Sequence, residues 1–401
     1  MLKYLVVLLL LPCCVLAQPS MVRDTTNYID YSNQTDIIDV ARSLFDYKPR
    51  KIEPEEDKDV YFSFLPFSTA VPGGGKALLT STTAGFYLGD RKTTYISSIT
   101  FTPYVNFKGR YGLPIRSNIW LKNNEWALQG DIRVMRYPQY TWGIGGGMSN
   151  DTRVLLDYKY VRIYQNALKR IKPYFFAGVG YNLDYYINVE GKDKPLPDFS
   201  DYDYGTTNSG NSFSSGASIN LLYDTRNNSI NPLPGCYSNL IYRFHSRVFG
   251  SNQHWQSLYF DMRKYVSLSK GDRKNVLALW GYYWTTLTNR TPYLNLPSVG
   301  WDPYNRSARG VPQNRYRGDG LIYFETEYRR DITRNGLLGY VAFASVNSVT
   351  EPNTRQYRYW HPAAGAGLRV KFNKKSGTNI GVDYGFSKGY SAVMLNLGEA
   401  F

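Results

Sequence analysis

From about Gly75 onward, apolar and polar positions alternate with a period of two. Ile322, Phe324, Thr326 and Tyr328 alternate with Tyr323, Glu325, Glu327 and Arg329. Leu258, Phe260 and Met262 alternate with Tyr259, Asp261 and Arg263, and Leu368, Val370 and Phe372 with Arg369 and Lys371. The same holds for Ile380, Val382, Tyr384 and Phe386 against Gly381, Asp383 and Gly385. Successive side chains of a strand point to opposite faces, so each segment has one apolar face and one more polar face. About fifteen such segments, each of about ten residues, follow one another between turns rich in Gly, Asn, Asp and Pro. Trp126–Arg136, Val154–Tyr164, Tyr174–Tyr186, Asn211–Asp224 and Asn275–Leu287 are among them.

A β-sandwich produces the same alternation with its apolar face turned inward. Three features favour a transmembrane barrel instead. The segments are long for a sandwich, no helix-period segment separates them, and the polar face carries both signs of charge, as a lumen does. Lipid cannot hydrogen-bond an exposed strand edge, so the sheet must close on itself. Single-chain bacterial barrels have an even number of strands. The expectation is therefore an all-β fold, a transmembrane antiparallel β-barrel of sixteen strands, with the strand not directly legible placed near Tyr140–Gly147.

The N-terminus reads differently. Met1-Leu2-Lys3, an apolar run from Tyr4 to Leu16, and Val15-Leu16-Ala17 before Gln18 form a cleavable secretory signal over residues 1–17. Pro12-Cys13-Cys14 admits lipidation, but Leu followed by Pro before the cysteine makes a poor lipobox. Residues 18–75 are expected to be a periplasmic tail with one short amphipathic helix from Asp36 to Phe45, and residues 76–401 the barrel.

Composition sharpens the picture. Aromatic residues make up 16% of the chain, with 37 Tyr, which suits membrane–water interfaces. The net charge of +15 could point to nucleic acid, but in an exported chain it fits an acidic membrane surface or a charged lumen better, and no nucleic-acid partner is expected. Of the three cysteines, two lie in the signal, leaving Cys236 without an intramolecular disulfide or a Cys-based metal site.

Catalytic chemistry finds no foothold. There is no Gly-x-Ser-x-Gly and no Cys paired with His, so no enzyme activity, metal or cofactor is expected. His245, His254 and His361 lack metal-ligand spacing. Gly143-Ile144-Gly145-Gly146-Gly147 has no helix pattern after it, which a phosphate cradle needs. Arg317-Gly318-Asp319 spells an adhesion tripeptide that loop chemistry explains better.

Three stretches carry more specific information. Val393, Leu395, Leu397 and Phe401 share one face of the last segment and resemble a C-terminal signal read by barrel assembly machinery, with Glu399 interrupting it. Asp224-Thr225-Arg226, then Asn231-Pro232 and Gly235, join two strands in a turn. Ser307-Ala308-Arg309-Gly310-Val311-Pro312, then Arg315-Tyr316-Arg317-Gly318-Asp319, lead into Glu325-Thr326-Glu327-Tyr328-Arg329. Together, over Tyr223 to Phe401, these resemble the BamA/TamA outer-membrane protein family, also called the bacterial surface antigen family.

That resemblance implies a long loop folded into the lumen, with Arg309 and Gly310 at its anchor. An unpaired buried cation is costly, and Glu325 and Glu327 on the next strand are the expected partners. Val311 stands where the family has an aromatic residue, and Gly339–Val346 lacks the acidic residue often found there. The resemblance further implies a bacterial outer-membrane location and a role in inserting barrels or moving polypeptides through a seam between the first and last strands. Here the seam would join roughly Ser81–Leu88 to Ala392–Leu397. Expected partners are outer-membrane lipid, barrel assembly machinery, and client proteins or a separate periplasmic partner. A passive channel narrowed by the 288–319 loop is the alternative.

Overall fold

The computed structural model describes residues 33–45, 60–70, 76–106, 109–194, 210–226, 228–232, 234–269, 274–289, 291–302 and 307–401. The signal segment and most of the expected tail lie outside them.

One sheet of nineteen strands dominates. They are β1 (Val60–Ala70), β2 (Lys76–Phe86), β3 (Ser97–Phe101), β4 (Tyr104–Asn106), β5 (Arg110–Gly112), β6 (Ile115–Trp120), β7 (Trp126–Arg136), β8 (Gln139–Thr141), β9 (Val154–Lys172) and β10 (Phe175–Gly191). Then follow β11 (Ser212–Asp224), β12 (Gly235–His245), β13 (Trp255–Ser267), β14 (Asn275–Thr286), β15 (Gly320–Asp331), β16 (Leu338–Val349), β17 (His361–Asn373), β18 (Thr378–Ser387) and β19 (Tyr390–Leu397). The named ladders between neighbours are antiparallel.

Three staves of this wall are each broken into two segments. β3 and β4 both pair with β2, β5 and β6 both pair with β7, and β7 and β8 both pair with β9. Nineteen segments thus make sixteen staves. The sixteenth is not where the sequence suggested. Gln139–Thr141 continues the β7 stave, whereas Val60–Ala70, inside the stretch assigned to the tail, is a full partner of β2. The alternation is present there, with Tyr61 and Ser63 buried and Phe62 and Phe64 exposed. Pro66 falls on the same outward face, and proline is confined to edge strands because it cannot donate to a ladder.

The wall is apolar outside and polar inside. On β18, Val382, Tyr384 and Phe386 are exposed while Asp383 and Gly385 are buried. On β13, Tyr259, Asp261 and Arg263 are buried in turn. Burying the charged face makes sense only if water is not the outer solvent. Among the described residues no helix is long and apolar enough to cross a membrane.

Short turns, such as 173–174, 332–337 and 374–377, gather at one end, and long connections, such as 192–211 and 287–319, at the other. An even stave number puts the start of β1 and the end of β19 together at the turn end. One helix, α1 (Ile37–Leu44), also lies at the turn end. Asp36 caps it, and Asp39 returns the bond to the Asp36 backbone, forming a capping box. Asp36 Oδ2 also accepts from the Lys374 backbone N–H at 2.9 Å, and Lys374 Nζ reaches Asp39 Oδ2 at 2.7 Å. The helix is thereby fastened to the β17–β18 turn.

The two ends of the sheet, β1 and β19, come alongside each other. No ladder joins them among the described residues. The seam therefore involves Val60–Ala70 rather than Ser81–Leu88, which falls largely in the second stave. In sequence, Pro72 and the glycines that follow separate this stave from the regular alternation.

Candidate functional site: a loop anchored in a charged lumen

The 287–319 connection between β14 and β15 does not project outward. Thr291 through Trp301 and Ser307 through Val311 are buried among the described residues. Small polar contacts along the wall hold this path. Tyr293 Oη lies 2.5 Å from Thr141 Oγ1, Asn314 Nδ2 donates to Gln139 Oε1 at 2.8 Å, and Tyr282 Oη donates to Ser307 Oγ at 3.1 Å. Arg317 Nη1 donates to the Tyr293 carbonyl at 2.8 Å, which cross-links the two arms of the loop. Its carbonyl accepts from the Gly145 backbone at 2.7 Å. The Arg317-Gly318-Asp319 tripeptide and the 143–147 glycines are therefore packing elements, with Arg317 2% exposed.

Arg309 lies at the tip of the anchor. Its Nη2 contacts both Glu325 and Glu327, and its Nη1 donates to Asp383 Oδ2 at 2.8 Å. Its guanidinium stacks over the Phe343 ring at 3.7 Å. The Ala308 N–H donates to Tyr323 Oη at 2.9 Å, and Tyr323 in turn donates to Glu325. Glu325 and Glu327 share the inward face of β15 by strand periodicity. Asp383 reaches the same point from β18, three staves away, because the sheet curls. It supplies the acid that Gly339–Val346 lacks, while Phe343 of β16 supplies an aromatic face.

Gly310 approaches the wall so closely that a Cβ there would lie 2.5 Å from the Phe386 backbone nitrogen, and its φ is +86°. Gly385 faces it, with a Cβ position 2.7 Å from the Gly310 nitrogen. Ser387 Oγ donates to the Gly310 carbonyl at 2.7 Å.

The charge network extends beyond the residues the sequence suggested. Arg369 Nη1 donates to Asp383 Oδ1 at 2.5 Å, and its Nε donates to Glu399 Oε2 at 2.9 Å. Arg329 Nε donates to Glu327 Oε1 at 2.6 Å, and its Nη2 to the Phe401 backbone oxygen at 2.8 Å. Glu399, which breaks the apolar face in sequence, is thus a lumen acid.

The last segment departs from expectation for the same reason. Val393 is exposed and Leu395 half-buried, but β19 stops at Leu397, itself buried. Gly398, at φ +94°, turns the chain inward. Phe401 then packs against Trp280 with ring centroids 5.1 Å apart and beneath the Arg329 guanidinium at 5.1 Å. It does not share the outward face of Val393.

The Asp224–Gly235 turn closes the turn end. Arg226 binds Asp224 through two bonds of 2.9 and 2.8 Å. Asn228 Nδ2 donates to the Ser376 carbonyl at 2.8 Å, and Asn231 Nδ2 to the Gly377 carbonyl at 2.9 Å, so the turn docks on the β17–β18 turn across the mouth. Gly235 begins β12, where a Cβ would lie 3.0 Å from the Thr225 carbonyl. Pro232 lies in the turn, outside any strand.

A repeated device runs through the lumen. Arg133, Arg226, Arg263 and Arg329 each bind a carboxylate two residues earlier on the same face: Asp131, Asp224, Asp261 and Glu327. A strand places the first, third and fourth of these pairs side by side, the turn places Asp224 and Arg226, and in each the guanidinium fork matches the carboxylate. Among the described residues no cluster of His, Cys, Asp and Glu is arranged to hold a metal ion.

An apolar outer wall, a charged lumen, and a loop anchored inside it define a transmembrane-type β-barrel with an internal plug. Residues 93–291 match the Omp85 superfamily domain, and the chain is an Omp85-type β-barrel. This agrees with the BamA/TamA resemblance drawn from the Asp224 turn and the Arg309 loop. BamA from Haemophilus ducreyi, in a structure lacking POTRA domains 1-3, has a similar fold at TM-score 0.51 and 14% identity, over 85% of this chain and 69% of that one. CdiB from Acinetobacter baumannii matches at TM-score 0.55 and 12% identity, over 85% and 60%. CdiB from Escherichia coli matches at 0.52 and 11%, over 84% and 61%. The chain thus spans about three fifths of the two CdiB structures. No match was found among curated proteins.

Proposed function

We propose that this barrel resides in a bacterial outer membrane and assists the insertion of outer-membrane proteins or the translocation of polypeptides, acting through the seam between β1 and β19. The observation that carries this reading is the pair of sheet ends that meet without a ladder among the described residues. Strand edges with unpaired N–H and C=O groups are templates for another strand. In lipid, a client that pairs with them gains hydrogen bonds that the bilayer cannot supply. Pro66 in β1 withholds one donor, which keeps this edge a weak partner for β19. The short turns then face the periplasm, as they do in outer-membrane barrels generally. No bond-making step is required, so the role is mechanical rather than enzymatic.

The test is to lock the seam. With Cys236 replaced by Ser, cysteine pairs scanned along β1 and β19 are oxidised in the purified protein. Insertion of a barrel client into liposomes should proceed in the reduced form and stop in the cross-linked form, with full recovery on reduction. Unchanged client insertion with a quantitatively locked seam sinks the proposal. The buried 287–319 loop supports a second reading, a plugged channel. That reading expects steady conductance that rises when Arg309 is replaced and no client insertion in either redox state.

A further inference from the structure

Arg243 lacks the paired carboxylate of its neighbours. Position 241, where Arg133, Arg226, Arg263 and Arg329 would have their acid, is Ile241. Directly across the two flanking ladders stand Ser218 and Ser257. The side chain is 5% exposed, and it makes no ion pair or hydrogen bond among the described residues. Its neighbour is the Tyr164 ring, with the guanidinium carbon 4.7 Å from the centroid. Tyr164 in turn gives its hydroxyl proton to Asp184. That carboxylate is already shared with Tyr160 and Arg162.

Arg243 lines a cavity of about 190 Å³ in the turn-end half of the lumen. The wall is rich in cations and neutral donors. Arg116 is on it, as is Asp131 opposite it in the β6–β7 ladder, and the Asp131 charge is offset by Arg133 and Arg162. Ser229 Oγ, also on the wall, is buried without a partner. The amide of Asn239 there has an unpaired end as well, and which end faces the cavity is set by what occupies it.

We propose that this cavity is a binding site for a phosphate-class oxyanion, held by Arg243 with Ser229 and Asn239 as neutral donors. A buried cation without a counter-charge is costly, and an oxyanion would supply the missing charge. The planar guanidinium presents two parallel N–H groups that match two oxygens of such an anion, which a spherical halide cannot use. The phosphate can come from solution or from a lipid headgroup at the turn-end mouth. The proposal is independent of whether the seam opens.

The test uses the full chain, purified in a zwitterionic detergent, with inorganic phosphate as the probe and chloride at matched ionic strength as the reference. Phosphate should bind saturably in calorimetry and raise the thermal midpoint above the chloride value. Arg243→Gln should weaken phosphate binding roughly tenfold or more, as expected for a lost charge-assisted bond. Arg243→Lys, which keeps charge but not the fork, should fall between, and the exposed Lys388→Gln should behave as wild type. Competition by short-chain phosphatidylglycerol assigns the phosphate to a lipid headgroup; its failure to compete assigns it to the free ion. No saturable difference between phosphate and chloride in the wild-type protein overturns the proposal, even if Arg243→Gln does not fold. So does an Arg243→Gln protein that folds and binds phosphate as wild type.

Discussion

Arg309 and Asp383 meet at 2.8 Å across the lumen, one on the plug and the other on β18. Their contact ties a loop between two central staves to a strand next to the seam. The same arginine holds Glu325 and Glu327, so it is the cation on which the loop's position depends. Arg329 and Arg369 still serve Glu327 and Asp383 if Arg309 is lost, but Glu325 keeps only the Tyr323 hydroxyl.

Arg309→Ala should therefore strand Glu325 and release the loop. Breaking a buried pair by removing one partner costs about 3–5 kcal/mol. The expected result is a lower urea midpoint and protease cleavage within 287–319 of the folded barrel. Glu325→Gln in the same background should recover part of the loss, since a neutral amide needs no cation. If Arg309→Ala leaves both the midpoint and the cleavage pattern unchanged, the loop is not anchored by charge.

Much of this arrangement was legible in the sequence, and the parts that were not have physical reasons. The period of two marks the wall because membrane strands must put apolar groups outward. Glu325 and Glu327 were legible as partners because they share the inward face of the strand that follows the loop. Asp383 was not, since its place beside Arg309 comes from sheet curvature that no local pattern records. Phe401 was read onto the outward face because Val393, Leu395 and Leu397 extrapolate there. One glycine at positive φ, Gly398, ends that extrapolation. β1 was missed because Pro66 disrupts the strand signal at the edge where proline is tolerated.

The Asp224–Arg226 pair offers a cleaner energetic test, because it is local and bidentate. Asp224→Ala leaves Arg226 buried without its acid and should lower stability by about 3–5 kcal/mol. Replacing both residues with apolar ones of similar size should restore much of this. A double-mutant cycle on the urea midpoints measures the coupling. Additive losses would mean that the pair contributes nothing beyond its parts.

The docking of α1 should depend on pH. Partial burial pushes the Asp39 carboxyl up, but the Lys374 hydrogen bond and charge outweigh this and leave it below its ordinary value. A carboxylate whose folded pKa is depressed contributes stability above its unfolded pKa, near 4. That contribution disappears as pH falls through the lower folded value. The helix should therefore stay docked at neutral pH and loosen in acid below about 4. A spin or fluorescent label at exposed Leu44 would report this. Lys374→Ala should give the loosened signal already at neutral pH, and a label insensitive to both changes would exclude the ion pair as the fastening.

Gly310 and Gly385 give the sharpest steric prediction. The two backbones approach so closely that a methyl on either enters the other: 2.5 Å to the Phe386 nitrogen from Gly310, and 2.7 Å to the Gly310 nitrogen from Gly385. Neither obstacle is a flexible side-chain tip that could swing aside. Gly310 also sits at φ +86°, where an L side chain is strained whatever the space. Gly→Ala stabilises a protein by up to about 1 kcal/mol where the backbone suits it; at Gly310 strain and clash should turn this into a loss larger than that gain. Gly385→Ala carries no such φ penalty and should act through the clash alone. Both should free the loop without disturbing Glu325, Glu327 or Asp383, so charge loss and steric loss can be told apart. Protease cleavage within 287–319 should appear in both, and Ser387→Ala, which removes only the bond to the Gly310 carbonyl, should give a smaller effect. Uncleaved loops in both alanine variants would mean that the close backbone approach to β18 is not what holds the plug in place.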